Sequence, residues 1–205
     1  MTTRLKFKRS YAACRSFTLL ELLLVMAVSA VLVGLAMEGY STIIQSTAVG
    51  TGADMISDAL TEARMNAVAQ NTTVEVRIYD LPPRPGAAPV YDALQLHWLK
   101  ADKTTPPVAN PLLLPSWVVI DATPTHTPLI ADNTNVPPLD PSDPRLNSQT
   151  RVFHFLPDGS TDLNPATNWF MTVRPASQSD PAHFPANWAC VQVDPTTGRP
   201  QIYRP

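Results

Sequence analysis

The spacing of apolar residues changes twice along the chain. Residues 17–37 are almost uniformly apolar and carry one charge, Glu21. About 20 apolar residues span the hydrocarbon core of a membrane as a helix, so this segment predicts a transmembrane helix. Residues 38–72 then carry apolar positions three and four apart, which is typical of a helix with one buried face. This stripe comprises Met55, Ile56, Ala59, Leu60, Ala63 and Ala67.

Two glycines lie near the middle of the second helical pattern. Glycine inside a helix costs about 1 kcal/mol relative to alanine, so Gly50 and Gly52 predict a bend or a brief break. Asn71 and Thr72 mark the predicted end of the helix, because the apolar period changes to two directly after them.

The remaining residues, 73–205, alternate between apolar and polar positions in short segments, a pattern typical of strands. The predicted strands cover residues 74–79, 94–98, 117–120, 152–155, 169–173, 190–193 and 201–203. A turn at Pro157-Asp158-Gly159 predicts that 152–155 and 169–173 form a hairpin, and a turn at 194–198 predicts a terminal hairpin. Residues 100–116 and 122–150 are rich in Pro and polar residues, and we expect surface loops with little fixed structure there.

Proline separates the two kinds of pattern. All 22 prolines follow residue 81, and proline breaks helix interiors, so the C-terminal part is not a helical bundle. The predicted fold class is α+β: a long N-terminal helix, membrane-spanning in its first half, packs on an antiparallel β-sheet or small sandwich. The predicted boundaries are 1–16 for a leader, 17–37 for the membrane helix, 38–72 for its continuation and 73–205 for the body.

Basic and acidic residues are also distributed unevenly along the chain, and their distribution predicts the membrane topology. Residues 1–16 carry five basic residues and no acid, so they should remain cytoplasmic under the positive-inside rule. The chain is then expected to be a single-pass membrane protein whose body is exported. Residues 17–205 hold 10 basic and 17 acidic residues, a net of −7, which makes nucleic acid an unlikely partner. Cys14 and Cys190 would lie on opposite sides of the membrane and could not pair.

Three other interpretations of the N-terminal segment are open. It suits a plain membrane anchor, or a secretory signal cut near Val28-Ser29-Ala30. A lipoprotein signal would use Cys14, but its apolar stretch should precede the cysteine and here follows it.

Glu21 is the unusual residue of the apolar segment, because a carboxylate inside a membrane is costly. In the simplest interpretation, it lies near the helix start and reaches the interface. If the chain were cut before Phe17, the new α-amino group would be a cation four residues from Glu21. Glu21 of one subunit could then pair with the Phe17 amine of its neighbour and set the register of an assembly.

The segment Ser16-Phe17-Thr18-Leu19-Leu20-Glu21-Leu22-Leu23, preceded by the basic leader, resembles the class III signal of type IV prepilins. The resemblance implies cleavage between Ser16 and Phe17 by a prepilin peptidase, N-methylation of Phe17 and an assembly role for Glu21. The family usually has Gly before the cut, where this chain has Ser16. The implied partners are the peptidase, other pilin-like subunits and an inner-membrane assembly platform.

The body also resembles pilin-like proteins. Its order of a long helix followed by strands is similar to the minor pseudopilins of the type II secretion H class. Three segments look similar to the Verru_Chthon cassette protein D family: 71–77 (NTTVEVR), 156–161 (LPDGST) and 194–199 (DPTTGR). The function implied is a pilin-like structural subunit, a minor or tip component of a type IV pilus-like or type II secretion-like fibre.

Candidate chemistry in the body is sparse. The four histidines are dispersed, and the chain has no HExxH, GxSxG or P-loop motif, so we expect no enzyme and no cofactor. One weak calcium pattern places side-chain oxygens at alternate positions: Asp158, Ser160, Asp162 and Asn164. The alternative function is a membrane-anchored exported module that binds a secreted substrate, a surface or DNA through its Pro-rich loops.

Overall fold

The computed structural model describes residues 18–81, 90–131, 150–177 and 187–205. The chain divides into two compact units, Met1–Thr42 and Ile43–Pro205. A long helix, α1 (Leu19–Ala69), has residues in both units and is followed by an antiparallel sheet. This order of elements confirms the predicted α+β class.

In the first unit, α1 begins directly after Thr18. The side chains described there, through Leu35, are exposed, and apolar ones such as Leu19 (82%) and Leu20 (78%) are covered little by the described residues. Among the described residues, we find no helix with the length and apolar character needed to cross a membrane.

In the second unit, α1 packs through the predicted stripe. Ile56, Leu60, Ala63 and Ala67 are fully buried, and Val49 and Ala53 extend the buried face toward the N-terminus. Burial of this kind contributes roughly 25 cal/mol per Å² of apolar surface. The stripe therefore joins α1 to the sheet in one hydrophobic core.

The break expected at Gly50 and Gly52 is absent, because α1 is helical through both residues. Packing explains the two glycines better than a break does. A Cβ atom at Gly52 would lie 3.0 Å from Cγ1 of Val118, and one at Gly50 would lie 3.2 Å from the Arg204 guanidinium. The absence of a side chain at Gly52 thus permits close approach of α1 to the sheet.

The end of α1 follows the prediction and has an identifiable cap. Asn71 adopts a left-handed conformation with φ of 48°. The amide of Thr72 donates to Ala67 O at 3.1 Å, and the amide of Asn71 donates to Val68 O at 3.3 Å. This is the Schellman pattern that stops a helix and reverses the chain, here into the first strand.

The strands form a single sheet rather than a sandwich. Its strands, with a short helix α2 at Pro128–Ala131, are β1 Thr73–Leu81, β2 Val90–Leu99, β3 Leu112–Leu113, β4 Val118–Ile120, β5 Thr150–Phe155, β6 Trp169–Pro175, β7 Ala189–Val193 and β8 Pro200–Tyr203. The order is β5-β1-β2-β4-β6-β7-β8, with β3 also paired to β2. All described pairings are antiparallel.

The predicted hairpin between 152–155 and 169–173 is wrong. β5 pairs with β1, whereas β6 pairs with β4 and β7. The turn after β5 closes on itself, because Phe155 bridges to Thr161. The amide of Thr161 then donates to Pro195 O at 2.8 Å, which directs the chain to another part of the sheet.

The terminal hairpin is confirmed. β7 and β8 pair in the register Val191 to Ile202. The turn between them closes through the amide of Gly198, which donates to Asp194 O at 2.8 Å. Gly198 has a φ of 63°, a conformation that favours glycine.

Residues 100–116 have more structure than expected. Pro106 O accepts the Trp98 amide at 2.9 Å, and the Val108 amide donates to Leu96 O at 2.8 Å. The segment also contains β3. The expectation of little fixed structure is therefore wrong here, because backbone groups of β2 supply partners to a Pro-rich segment. In the segment 122–150, α2 is the described helix, and residues 132–149 lie outside the described residues.

Candidate functional site

The predicted cleavage and methylation residues, Ser16 and Phe17, lie outside the described residues. Glu21 lies in the first turn of α1 and is exposed. Its backbone amide donates to the Thr18 hydroxyl at 3.2 Å. Thr18 thus caps the helix, and an acidic residue in the first turn is favoured by the positive end of the helix dipole.

The residues that follow Glu21 form an exposed apolar surface on every side of the helix. Apolar side chains from Leu22 to Leu35 are between 52% and 67% exposed. A helix that is apolar all round is stable only when lipid or other protein covers it. Chemically, this segment is suited to packing against other apolar surfaces.

A second feature brings together two of the three segments singled out in the sequence. We call it the turn cluster: residues 156–161, residues 194–199 and Arg64 of α1. The Arg64 Nε donates to Gly159 O at 3.2 Å and to Thr197 O at 2.7 Å. One helix side chain therefore fixes both turns, which are more than 30 residues apart in sequence.

The two turns approach each other closely at their glycines. Gly159 and Gly198 have φ values of 84° and 63°. A Cβ atom at Gly198 would lie 2.2 Å from Gly159 O, a backbone atom that cannot move away easily. The sequence indicated two turns but not this contact, since nothing in the local pattern shows which turns meet.

The oxygens of the calcium pattern have other partners. Asp158 Oδ1 accepts from the amide and hydroxyl of Ser160 at 2.9 and 2.6 Å, and Asn164 Oδ1 accepts from the Ala166 amide at 2.9 Å. Asp162 binds His154. Among the residues with described placement, no three His, Cys, Asp or Glu side chains are grouped to hold a metal. The contacts around the pattern form local turns, and calcium binding stays a prediction.

The outward face of β1, β2 and β5 carries a buried polar network that the sequence did not predict. Glu75 lies directly opposite His97 on β2 and His154 on β5. Glu75 forms an ion pair with Arg77 and accepts from His154 Nε2 at 3.2 Å. His154 Nδ1 lies 2.6 Å from Asp162 Oδ2. The alternation along each strand predicts a polar face. Only the register between the strands shows that these polar side chains lie next to one another.

Part of this network also holds the segment 100–116 in place. His97 is 3% exposed, and its Nδ1 lies 2.8 Å from Thr105 O. Arg77 Nη2 donates to the Thr105 hydroxyl at 2.9 Å. The segment covers charges that would otherwise face water, which explains how polar residues of β1 are buried. The network therefore has a structural role.

The charged groups of the network change one another's pKa values. Burial opposes protonation of His154, but its hydrogen bonds to Asp162 and Glu75 outweigh burial and raise its pKa to about 9. Burial tends to raise the pKa of Glu75 and of Asp162, yet hydrogen bonds from His154 hold both below their ordinary values. At neutral pH, His154 is thus a cation between two carboxylates.

Comparison with known proteins agrees with the N-terminal assignment. Residues 11–37 match the family model described as the prokaryotic N-terminal methylation motif. The match confirms the predicted type IV pilin-like signal. No curated protein matches the chain.

Solved structures of the minor pseudopilin EpsH from the type II secretion system of Vibrio cholerae are similar to the chain. One is 15% identical with a TM-score of 0.43, over 77% of this chain and 95% of that chain. Another is 16% identical with a TM-score of 0.48, over 78% and 96%. The likeness to the Verru_Chthon cassette family stays a prediction.

The glycine contact in the turn cluster predicts a large effect of Gly198→Ala. The new methyl group would collide with Gly159 O and sit at an unfavourable φ, so we expect a loss of more than about 2 kcal/mol in the free energy of unfolding. Urea unfolding of the full chain in detergent measures it. The control is Gly50→Ala, whose Cβ meets the end of the Arg204 side chain rather than backbone and should change the free energy of unfolding by less than about 1 kcal/mol. Equal changes in the free energy of unfolding for the two variants would contradict the close contact between Gly198 and Gly159.

The His154 network predicts a pH-dependent stability. Because the folded-state pKa is raised from 6.5 to about 9, its stabilisation is complete below pH 6.5 and is lost as pH rises through 9. His154→Gln should therefore destabilise the protein at about pH 6 and much less at about pH 10. Urea unfolding of both proteins at the two pH values measures this difference. A penalty independent of pH would show that His154 does not stabilise the fold as a cation.

Proposed function

We propose that the chain is a pilin-like structural subunit, a pseudopilin, that is processed by a prepilin peptidase. It would assemble as a minor or tip component of a type IV pilus-like or type II secretion-like fibre. The observation that carries this proposal is the N-terminal methylation motif at residues 11–37. Two features of the structure support it: the apolar side chains at the start of α1 are exposed, and the sheet lies in a separate compact unit.

The proposed membrane topology follows from the chain's charge and apolar surface. Residues 17–37 insert in the bacterial inner membrane, the basic residues 1–16 stay in the cytoplasm, and the body lies on the periplasmic side. The exposed side chains from Leu19 to Leu35 support this proposal, because lipid would cover them. An inner-membrane assembly platform would then extract the subunit into the fibre.

In the proposed assembly, Glu21 sets the register between subunits. Cleavage before Phe17 creates an α-amino group four residues before Glu21 in the sequence. In the low dielectric of a helix bundle, a carboxylate and an amine that lack partners are both costly. Pairing Glu21 of one subunit with the Phe17 amine of the next removes both costs, so it favours one axial offset.

Processing provides the first test of the proposal. Coexpression of the full chain with a prepilin peptidase should give a mature protein that begins at Phe17, carrying one added methyl group on its amine. Intact-protein and N-terminal peptide mass spectrometry measure both features. A chain that keeps Arg15-Ser16, or that starts at Val31, would contradict the proposed function.

The second test concerns the residue that sets the register. Glu21→Ala should leave membrane insertion intact, since it makes the segment more apolar, but should reduce incorporation into fibres at least about tenfold, because the Phe17 amine loses its partner. Quantifying the chain in sheared fibre and membrane fractions measures this. Ser29→Ala, in the same apolar segment, is the matched control and should assemble normally. Normal assembly of Glu21→Ala would remove the proposed role.

A further inference from the structure

The body has an apolar groove between α1 and the segment that precedes β3. Its volume is about 350 Å³, and its apolar lining includes Met55, Ala59, Leu96 and Leu112. The groove lies beside β2, whose other edge is paired with β1. On the groove side, β2 meets β4 at Tyr91 to Ile120, pairs with the two-residue β3 at Ala93 and Leu94, and bridges from His97 to Pro107.

Two carboxylates, Asp58 and Glu62, also line the groove. Both are exposed and lie one helical turn apart, where like charges disfavour a helix. Within the described part of the chain, no cation pairs with either of them. Arg64, the sole basic residue in the α1 sequence, is engaged with the turn cluster.

Asp54, one turn before Asp58, provides a contrast on the same helix. Its Oδ1 lies 3.0 Å from Nη2 of Arg204, so this carboxylate is paired within the chain. The groove carboxylates therefore differ from Asp54, their neighbour on the helix, in lacking such a partner among the described residues. An apolar floor with an acidic rim is complementary to a segment that presents an apolar side chain beside Lys or Arg.

We infer that this groove docks a basic, apolar-tipped segment of a different pilin-like subunit. A second copy is a poor occupant, because residues 17–205 carry a net charge of −7 and like-charged bodies repel. The inference rests on the proposed function, since it names the neighbour that the assembled subunit contacts. Exposed Leu113, next to the lining residue Leu112, would extend the apolar contact.

Site-specific photocrosslinking tests the groove. The full chain, with benzoylphenylalanine in place of Leu113, is coexpressed with the peptidase and with each pilin-like subunit encoded in the same genome. We expect an adduct with one of these subunits in detergent extracts. The adduct should fall about tenfold when Asp58→Asn is combined with Glu62→Gln, as expected for loss of close interfacial charge pairs. Asp54→Asn is the matched control and should leave the adduct unchanged.

A crosslinker at Tyr203, on the edge strand β8, controls for position and should not give the same charge-dependent adduct. If the double variant does not accumulate, raising ionic strength from about 0.05 to about 0.5 M on the natural sequence must weaken the adduct, because exposed pairs are screened. An adduct insensitive to both changes, a principal adduct with a second copy, or no adduct at position 113 would overturn the inference.

The same cells separate failure of the groove from failure of the proposed function. If the chain starts at Phe17 and enters fibres but gives no charge-dependent adduct, only the groove inference is wrong. If the chain is not processed, the proposed function fails, and the groove inference that rests on it fails as well.

Discussion

The packing of one helix face on one sheet face is the interaction on which the body depends. Ile56, Leu60, Ala63 and Ala67 are completely buried, and their partners in the core include Val74, Val76 and Phe155. Small residues at several of these positions, and Gly52 in particular, let the helix lie close to the strands. The cap at Asn71 then returns the chain into β1, so the same helix both covers the sheet and begins it.

The opposite face of the sheet carries buried charged residues. Glu75 and Arg77 are buried there, and buried charges are tolerated only when they are paired and hydrogen-bonded. Their mutual ion pair, the hydrogen bond between Glu75 and His154 and the contact of Arg77 with Thr105 satisfy that condition. A Pro-rich segment thus has a definite position because it carries the partners that this polar face requires.

Much of this arrangement could be predicted from local pattern. The helical stripe, its end near Asn71, the individual strands and the terminal hairpin follow from spacing and turn residues. Pairing between distant strands could not be predicted, because the turn at Pro157-Asp158-Gly159 is compatible with a hairpin to 169–173 as well as with the observed return. The network around Glu75 depends on that same register, so it could not be predicted either.

The proposed assembly residues, unlike the network around Glu75, could be identified from the sequence alone. Phe17 and Glu21 stand out in the sequence, because a single carboxylate in an apolar segment is costly and the flanking residues form a specific motif. The groove beside Asp58 and Glu62 could not be predicted from the sequence, because both acids are typical of a solvated helix face. Its apolar floor comes from Leu96 and Leu112, which only the fold brings beneath α1.

The packing described above makes the second part of α1 a member of the cooperative core of the body. Native-state hydrogen exchange of the full chain in detergent micelles tests this directly. The amides of residues 53–67 should exchange through the same global opening as those of 74–79, with equal free energies and equal dependence on urea. Exchange of 53–67 at a clearly lower free energy than 74–79 would show that the sheet folds without the helix, and would contradict a shared core.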